Sequence, residues 1–148
     1  MHAERAFFMY KLLIFILMLG TDSPQQEAIH SVELSYQTRG TQKFLHITSE
    51  SIEVKINGKI THYKTTEDQW QKILKTFQKV KLSGIVKLKR PSKKSFYDGA
   101  LISQVKVITN LKEYESVNFD HDAPPTALVK PINAMKSTLI GTDNKSDF

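Results

Sequence analysis

The tripeptide Asp120-His121-Asp122 is the part of the sequence where residue types most suggest chemistry. Two carboxylates beside an imidazole can hold a metal ion or move a proton when further groups converge on them. No such set is evident, because cysteine is absent and the other histidines lack a ligand spacing such as H-x-x-x-H. Neighbouring residues of a strand also point to opposite faces. We therefore interpret the tripeptide as a structural junction whose aspartates accept hydrogen bonds from backbone N–H groups of the turn and of the helix start.

Asp98-Gly99 is a second candidate, since it precedes a predicted strand and a carboxylate there can line a cleft. The pair also fits a turn in which Asp98 bonds nearby backbone and Gly99 adopts a positive φ, and we predict that turn. The sequence contains no nucleophile elbow, zinc-protease motif or phosphate-binding glycine loop. We expect no cofactor, no metal site and no enzymatic activity.

A basic segment, residues 72–94, contains nine lysines and arginines and no acid, in a chain of net charge +6. Such a segment suits an anionic surface, an acidic protein or nucleic acid, or is simply a solvated helix face followed by a lysine-rich loop. Trp70 and Phe77 fall on the apolar side of a predicted helix, so they are not available to stack on bases, and we do not expect nucleic acid. The candidate basic face comprises Lys72, Lys75, Lys79, Lys87, Lys89, Arg90, Lys93 and Lys94.

The N-terminal region has the pattern of an export signal. Residues 12–19 are apolar and follow Lys11, and a polar stretch with a proline comes next. The run is too short to cross a hydrocarbon core of about 30 Å as a helix, which is typical of a signal peptide. We predict that residues 1–23 are a signal peptide or an N-terminal hydrophobic anchor, with translation starting at Met1 or Met9. The protein is then periplasmic, envelope-bound or secreted, with one domain over residues 24–140 and a disordered tail over 141–148.

Two hairpins are predicted at the start of this domain. Apolar and polar residues alternate over residues 32–36, and Arg39-Gly40 supplies a turn before the returning strand. The alternation over residues 52–56 leads to Asn57-Gly58, the preferred pair where both central turn residues need φ > 0. These patterns predict an antiparallel meander.

Two helices are predicted after the hairpins. Thr66 and Gln69 fit a capping box, an apolar stripe follows at helical spacing, and Gly84 is a plausible end of the first helix. The second helix starts near Pro125, with Asp122 or Ala123 as its entry residue, and Pro131 should kink or split it. The order β-β-β-β-α-β-β-α groups strands with strands, which predicts an α+β fold with an antiparallel sheet.

The segments "LSYQTRG", "HIT", "INGK", the Trp70 helix, "YDGA" and "FDHDAPPTAL" together give the chain a resemblance to small exported proteins of Bacteroidetes bacteria that have no assigned activity. The element order, ending in an acid, a Pro-Pro pair and a leucine, also resembles emfourin-like peptidase inhibitors. Those inhibitors have a glycine-rich turn where this chain has only Arg39-Gly40. The resemblance implies that the exposed tips able to enter a protease cleft are Arg39, Gly40, Asn57 and Gly58.

These features predict an exported protein-binding domain without enzymatic activity, and a peptidase inhibitor in its most specific form. The alternative is an envelope-associated protein that its lysine-rich face holds to an anionic surface. Ionic strength separates the two, because the Debye length falls to about 3 Å at 1 M salt and weakens the second mode far more than the first.

Overall fold

Seven strands form one antiparallel sheet in the computed structural model, which describes residues 26–148. The order across the sheet is β4-β3-β2-β1-β5-β6, and β7 also pairs with β5. This confirms the predicted α+β class and the meander of hairpins. The predicted signal peptide or anchor, including both candidate start sites, lies outside the described residues. The strands are β1 (Ile29–Thr38), β2 (Thr41–Thr48), β3 (Ser51–Ile56), β4 (Lys59–Lys64), β5 (Ile102–Thr109), β6 (Glu113–Glu115) and β7 (Phe119–Asp120).

Both predicted hairpins are confirmed, and their turns lie side by side. In the second turn Asn57 has φ 49° and Gly58 has φ 90°, the left-handed values that this residue pair favours. The Asn57 side chain accepts a hydrogen bond from the backbone N–H of Gln42 at 2.8 Å, and the Asn57 N–H donates to the Gln42 carbonyl at 2.9 Å. These two bonds link the second turn to the strand that leaves the first.

The core lies on one face of the sheet, where alternate residues of the central strands are buried against the helices. The helices are α1 (Glu67–Phe77) and α2 (Thr126–Ser137), with 3-10 helices over Leu82–Lys87, Lys94–Tyr97 and Lys145–Asp147. No helix within residues 26–148 is long and apolar enough to cross a membrane. The strand residues of the core are Val32, Leu34, Tyr36, Leu45, Ile47, Ile52, Val54, Val105 and Val107.

The opposite face of the sheet carries a row of charged and titratable side chains, one from each of six strands. Cross-strand neighbours in this row pair a carboxylate with a lysine or a histidine, which is the favourable arrangement on a solvated face. Burial is the main cause that raises the pKa of Glu33, near the middle of the row. The row from β4 to β6 is His62, Glu53, His46, Glu33, Lys106 and Glu115.

Helix α1 begins as the sequence predicts. The Gln69 N–H donates to Thr66 Oγ1 at 3.2 Å, and the Thr66 N–H donates to Gln69 Oε1 at 2.9 Å, which completes the capping box. Gly84 as the end of the helix was wrong, since α1 ends at Phe77. The chain turns there and enters the 3-10 helix Leu82–Lys87, which contains Gly84 and buries Ile85 in the core.

Helix α2 differs from the prediction at both of its prolines. Of the two predicted outcomes at Pro131, the split was wrong, because the helix continues through this residue, and the kink stays a prediction. Pro131 is buried on the core side with Leu128 and Ile132, so apolar contacts offset the missing backbone hydrogen bond, which otherwise costs about 3 kcal/mol. The N-cap position is Pro125 itself, rather than Asp122 or Ala123.

The C-terminal tail, predicted to be disordered, is packed against the sheet. Lys43 Nζ donates to the carbonyl of Asp147 at 2.6 Å, and Tyr63 Oη donates to Asn144 Oδ1 at 2.6 Å. The half-buried Phe148 ring lies 5.4 Å from the ring of Tyr36. The polar composition of residues 141–148 predicted a frayed end. The prediction was wrong because the Phe148 ring and two side-chain hydrogen bonds attach these residues to the sheet.

Candidate functional site

Asp120 is fully buried, and its carboxylate joins two segments of the chain that are distant in sequence. Its Oδ2 accepts from the Lys94 N–H at 2.7 Å, and its Oδ1 accepts from the Ser95 N–H at 3.1 Å and the Ser95 hydroxyl at 2.5 Å. Arg90 Nη2 lies 3.3 Å from the same Oδ1. Burial alone would raise the pKa of Asp120, but hydrogen bonds from the side chains of Ser92 and Ser95 and from backbone N–H groups hold it well below its usual range. The carboxylate is therefore charged.

These contacts confirm the interpretation of Asp120 as an acceptor of backbone N–H groups, with one change. The donors are 25 and 26 residues earlier in the chain, in the connection between α1 and β5, and do not belong to the adjacent turn. We call the cluster formed by Asp120, Arg90, Lys94 and Ser95 the Asp120 hub.

The other two residues of the tripeptide have separate partners. Asp122 accepts from Lys94 Nζ at 2.8 Å on the surface, and this hydrogen bond lowers the pKa of Asp122. It does not cap α2, contrary to the prediction. His121 Nδ1 accepts from the Leu101 N–H at 3.2 Å, and its ring packs edge-on against Tyr36. The three side chains thus have different partners, and no group of three or more His, Cys, Asp or Glu in the described part of the chain is arranged to hold a metal ion.

The Asp120 hub holds a loop that exposes two aromatic rings. Phe96 is 61% exposed and Tyr97 is 86% exposed, both in the 3-10 helix Lys94–Tyr97. The guanidinium of Arg90 stacks on the Phe96 ring, 4.5 Å from its centroid, so one arginine contacts both the buried carboxylate and the exposed ring. Sequence reasoning treated this segment as a simple connection. The available signal was a pair of adjacent aromatics in a proline- and lysine-rich stretch with no helix or strand period to bury them.

The turn at Asp98-Gly99 is confirmed, but its two residues do not have the predicted conformations. Asp98 adopts the left-handed conformation, with φ 55°, whereas Gly99 does not have a positive φ. Space is tight at Gly99, because a Cβ atom there would lie 3.2 Å from the carbonyl oxygen of Lys94. The Gly99 N–H donates to that oxygen at 2.9 Å and closes the 3-10 helix.

The aromatic loop lies beside the two hairpin tips. Gln37, just before the first turn, is the register partner of Ile102, just after the loop, so the loop and the turn meet at one end of the sheet. Arg39, Gly40, Asn57 and Gly58 are all exposed there. We call this surface the hairpin end, and it comprises Arg39, Gly40, Asn57, Gly58, Phe96, Tyr97 and Asp98.

Two shallow depressions flank the first hairpin at this end. One, of about 540 Å³, is lined by polar residues that include Thr38, Arg39, Asp98 and Asn118. The other, of about 360 Å³, lies on the side of the second hairpin and includes Phe44 and Gly58 in its lining. Exposed aromatics, an arginine, a carboxylate and amides around shallow depressions form a surface suited to docking a protein or a peptide.

The candidate basic face does not form one continuous surface of free charges. Arg90 and Lys94 pair with Asp120 and Asp122, so both belong to the hub region. The remaining lysines of the set are exposed, and within residues 26–148 none of them forms an ion pair. These free lysines are Lys72, Lys75, Lys79, Lys87, Lys89 and Lys93.

Comparisons with known proteins give no relative: no family model matches the chain, and neither the curated proteins nor the solved structures contain a match. The two resemblances inferred from the sequence motifs stay predictions. Any functional argument therefore depends on the surface of this domain.

Proposed function

We propose that this protein is an exported, non-enzymatic protein-binding domain that contacts its partner through the hairpin end. The observation that carries the proposal is the exposure of Phe96 and Tyr97 on a loop that a buried carboxylate holds in place. Aromatic side chains and arginine dominate the energetics of protein interfaces. Large apolar side chains that stay exposed add nothing to the hydrophobic core, so their position on a loop that is held in place favours a role in binding.

Pre-organisation supports the same reading. A binding loop that is disordered before binding must lose conformational entropy when it docks, which reduces affinity. Here the 3-10 helix is closed by Gly99, attached to Asp120 and stacked on Arg90 before any partner arrives. The loop therefore presents its backbone and the Phe96 ring in a defined position, which lowers the entropic cost of docking.

The more specific form of the proposal is a peptidase inhibitor. The turns at Arg39-Gly40 and Asn57-Gly58 are narrow, exposed and linked by the Asn57–Gln42 hydrogen bonds, which makes them a stiff protrusion suited to a cleft. The motif resemblance to emfourin-like inhibitors supports this form. Export rests on the charge and hydropathy pattern of residues 1–23.

The test is a pull-down with immobilised residues 24–148 against envelope and culture-medium proteins at low and high salt. We expect one protein to remain bound at 1 M salt, where the Debye length is about 3 Å. Tyr97→Ala should weaken its binding by about thirtyfold, the effect of removing a side chain that contributes roughly 2 kcal/mol to an interface.

The matched control is Leu111→Ala, which removes a similarly exposed apolar side chain, 51% accessible, from the β5–β6 turn at the other end of the sheet. It should leave binding unchanged. Equal retention by the two variants, or no protein bound at high salt, would overturn the proposal. The inhibitor form has a separate test. If the captured protein is a peptidase, the domain should inhibit it, and substitution of Arg39 should abolish this inhibition.

A further inference from the structure

Strand β4 is the long edge of the sheet, and within residues 26–148 its outer side pairs with no other strand. It has six residues and pairs only with β3. The opposite edge is shorter and partly occupied, because β6 has three residues and the Val117 N–H just beyond it donates to the Ile85 carbonyl at 3.1 Å. An unpaired edge strand carries free N–H and C=O groups that can pair with another strand.

The pairing of β3 with β4 determines which backbone groups of β4 are free. The two-residue turn Asn57-Gly58 is closed by Ile56 and Lys59, and the closing residues of such a hairpin exchange hydrogen bonds. The Thr65 N–H, which donates to the Glu50 carbonyl at 3.1 Å, follows the same alternation. Alternate residues of β4 therefore face β3, and those between them face away from the sheet. The residues whose backbone groups face away are Ile60, His62 and Lys64.

Exposed apolar side chains lie near this edge on both faces of the sheet. On the face opposite the helices, Ile60 is 49% exposed. On the other face, Tyr63 Oη donates to Asn144 Oδ1 at 2.6 Å, so the segment that precedes Asn144 passes close to β4. That segment contains Ile140, which is 66% exposed. A molecule that docks along β4 therefore meets apolar surface as well as free backbone groups.

We propose that β4 pairs with β4 of a second copy of the chain, antiparallel about a two-fold axis at Thr61, so that the two sheets join into one. Symmetric dimers of this kind are the commonest assemblies of soluble proteins. Because free groups must face free groups, Ile60 of each copy exchanges hydrogen bonds with His62 of the other. Two such pairs with two bonds each give four backbone hydrogen bonds across the interface.

The side chains of β4 are complementary to themselves in this register. Lys59 lies opposite Tyr63 of the second copy, where a cation beside an aromatic ring is favourable. Lys64 lies opposite Gly58, and Thr61 lies opposite the same threonine of the second copy, which is a favourable cross-strand pair. No two like charges are opposite each other, although the strand begins and ends with a lysine.

The register selects this occupant, and net charge does not, since carboxylates and lysines both lie at the edge. Glu53 is 3.9 Å from His62, and Glu50 lies in the turn next to the end of β4. A shift of the second copy by one step of two residues toward Lys64 places the two His62 side chains opposite each other. A shift the other way shortens the overlap. The pairing centred on Thr61 therefore has the longest overlap without opposed like groups.

Such a dimer carries two hairpin ends that point in opposite directions, because the paired strands are antiparallel. Two separate surfaces for binding give a dimer higher avidity for a partner that is itself repeated or clustered. The proposal rests on the edge of the sheet alone and does not depend on what the hairpin end binds.

The first experiment is sedimentation velocity of residues 24–148, which contain the whole described core, from about 1 μM to about 1 mM. We expect the dimer fraction to rise with concentration. His62→Pro removes an N–H group that faces away from β3, which an edge strand tolerates. Loss of two of the four interface hydrogen bonds should weaken dimerisation about thirtyfold. His62→Ala keeps the N–H group and is the matched control, with an effect of about threefold or less.

The second experiment uses the absence of cysteine from the chain and does not depend on the proline variant folding. Thr61→Cys places one thiol of each copy at the two-fold axis, where Cα atoms of a non-hydrogen-bonded pair are about 4.5 Å apart, within reach of a disulfide. Lys59→Cys is the matched control, because its two Cα atoms are about 14 Å apart in this register. Under mild oxidation at one protein concentration, we expect Thr61→Cys to cross-link about tenfold faster or more.

Three results would overturn the proposal: a wild-type chain that stays monomeric throughout the series, equal dimerisation of the two His62 variants, or equal cross-linking of the two cysteine variants. Tyr97→Ala, which removes an aromatic of the hairpin end, should dimerise as the wild type does. Neither experiment contains a partner protein. Their failure therefore leaves the hairpin-end proposal intact, and a failed pull-down leaves this one intact.

Discussion

Replacing Asp120 by asparagine tests the central structural claim, that one buried carboxylate holds the aromatic loop. The substitution keeps the side-chain shape and one acceptor oxygen but removes the negative charge. Its amide nitrogen then faces groups that are themselves donors: the N–H of Lys94 or those of Ser95 and Arg90. The loss of charge and the new donor–donor contact act in the same direction.

The size of the effect follows from the contacts. A hydrogen bond to a charged acceptor contributes about 1.5–3 kcal/mol, and breaking a buried ion pair from one side costs about 3–5 kcal/mol. The Arg90 side chain retains 18% exposure, so water partly compensates it, and we take the lower end of this range. We expect Asp120→Asn to lower the free energy of unfolding by about 3 kcal/mol, a large part of the 5–15 kcal/mol typical of a domain.

The assay is urea unfolding followed by the fluorescence of Trp70, the single tryptophan, which is 6% exposed and so reports on the core. Hydrogen exchange at the Lys94 and Ser95 N–H groups detects the case in which the loop detaches before the core unfolds. Asp122→Asn is the matched control, because its pair with Lys94 is exposed to solvent, where an ion pair contributes little to stability. If both variants unfold at the same urea concentration and exchange at the same rate, the Asp120 hub does not hold the loop.

Three further predictions concern pH and local conformation. The folded-state pKa of Asp120 lies below the unfolded value of about 3.9. The stabilisation that the Asp120 carboxylate provides is therefore present above that pH and is lost as the pH falls through the folded pKa. Urea unfolding from pH 6 downward should show that the difference in midpoint between wild type and Asp120→Asn shrinks below about pH 4. Gly58→Ala, at φ 90°, should destabilise by about 1–2 kcal/mol, whereas Gly40→Ala, in open space and without a positive φ, should be neutral or stabilise by up to about 1 kcal/mol. Thr66→Ala should cost about 1 kcal/mol by removing the capping box, against a few tenths for Gln71→Ala on the exposed side of α1; equal thermal midpoints for the two variants would contradict the capping argument.

Local patterns in the sequence were sufficient for the first half of the domain. The alternation in β1 and β3, the turn at Asn57-Gly58 and the cap at Thr66 each involve residues only a few positions apart. Backbone preference and periodicity act over that range, so each element could be predicted before its neighbours were known.

The second half depended on contacts between distant residues. Pro131 stays inside α2 because the core on one side of that helix offsets a local penalty, and residues 141–148 are attached because Phe148 reaches Tyr36. Neither contact has a local signature, since each partner is more than a helical turn away in sequence.

By itself the sequence determined the class of fold, the two hairpins, the start of α1 and the judgement that Asp120-His121-Asp122 is a junction. The tertiary structure alone decided what that junction does: Asp120 holds a segment 25 residues earlier and thereby exposes Phe96 and Tyr97 beside the hairpin tips. The tertiary structure also showed that Arg90 and Lys94 of the basic segment form ion pairs, whereas the other lysines of the candidate basic face form none within residues 26–148. The reason is physical, because a buried charge must be satisfied by whichever donors the fold brings to it, and the spacing of residues along the chain does not specify those donors.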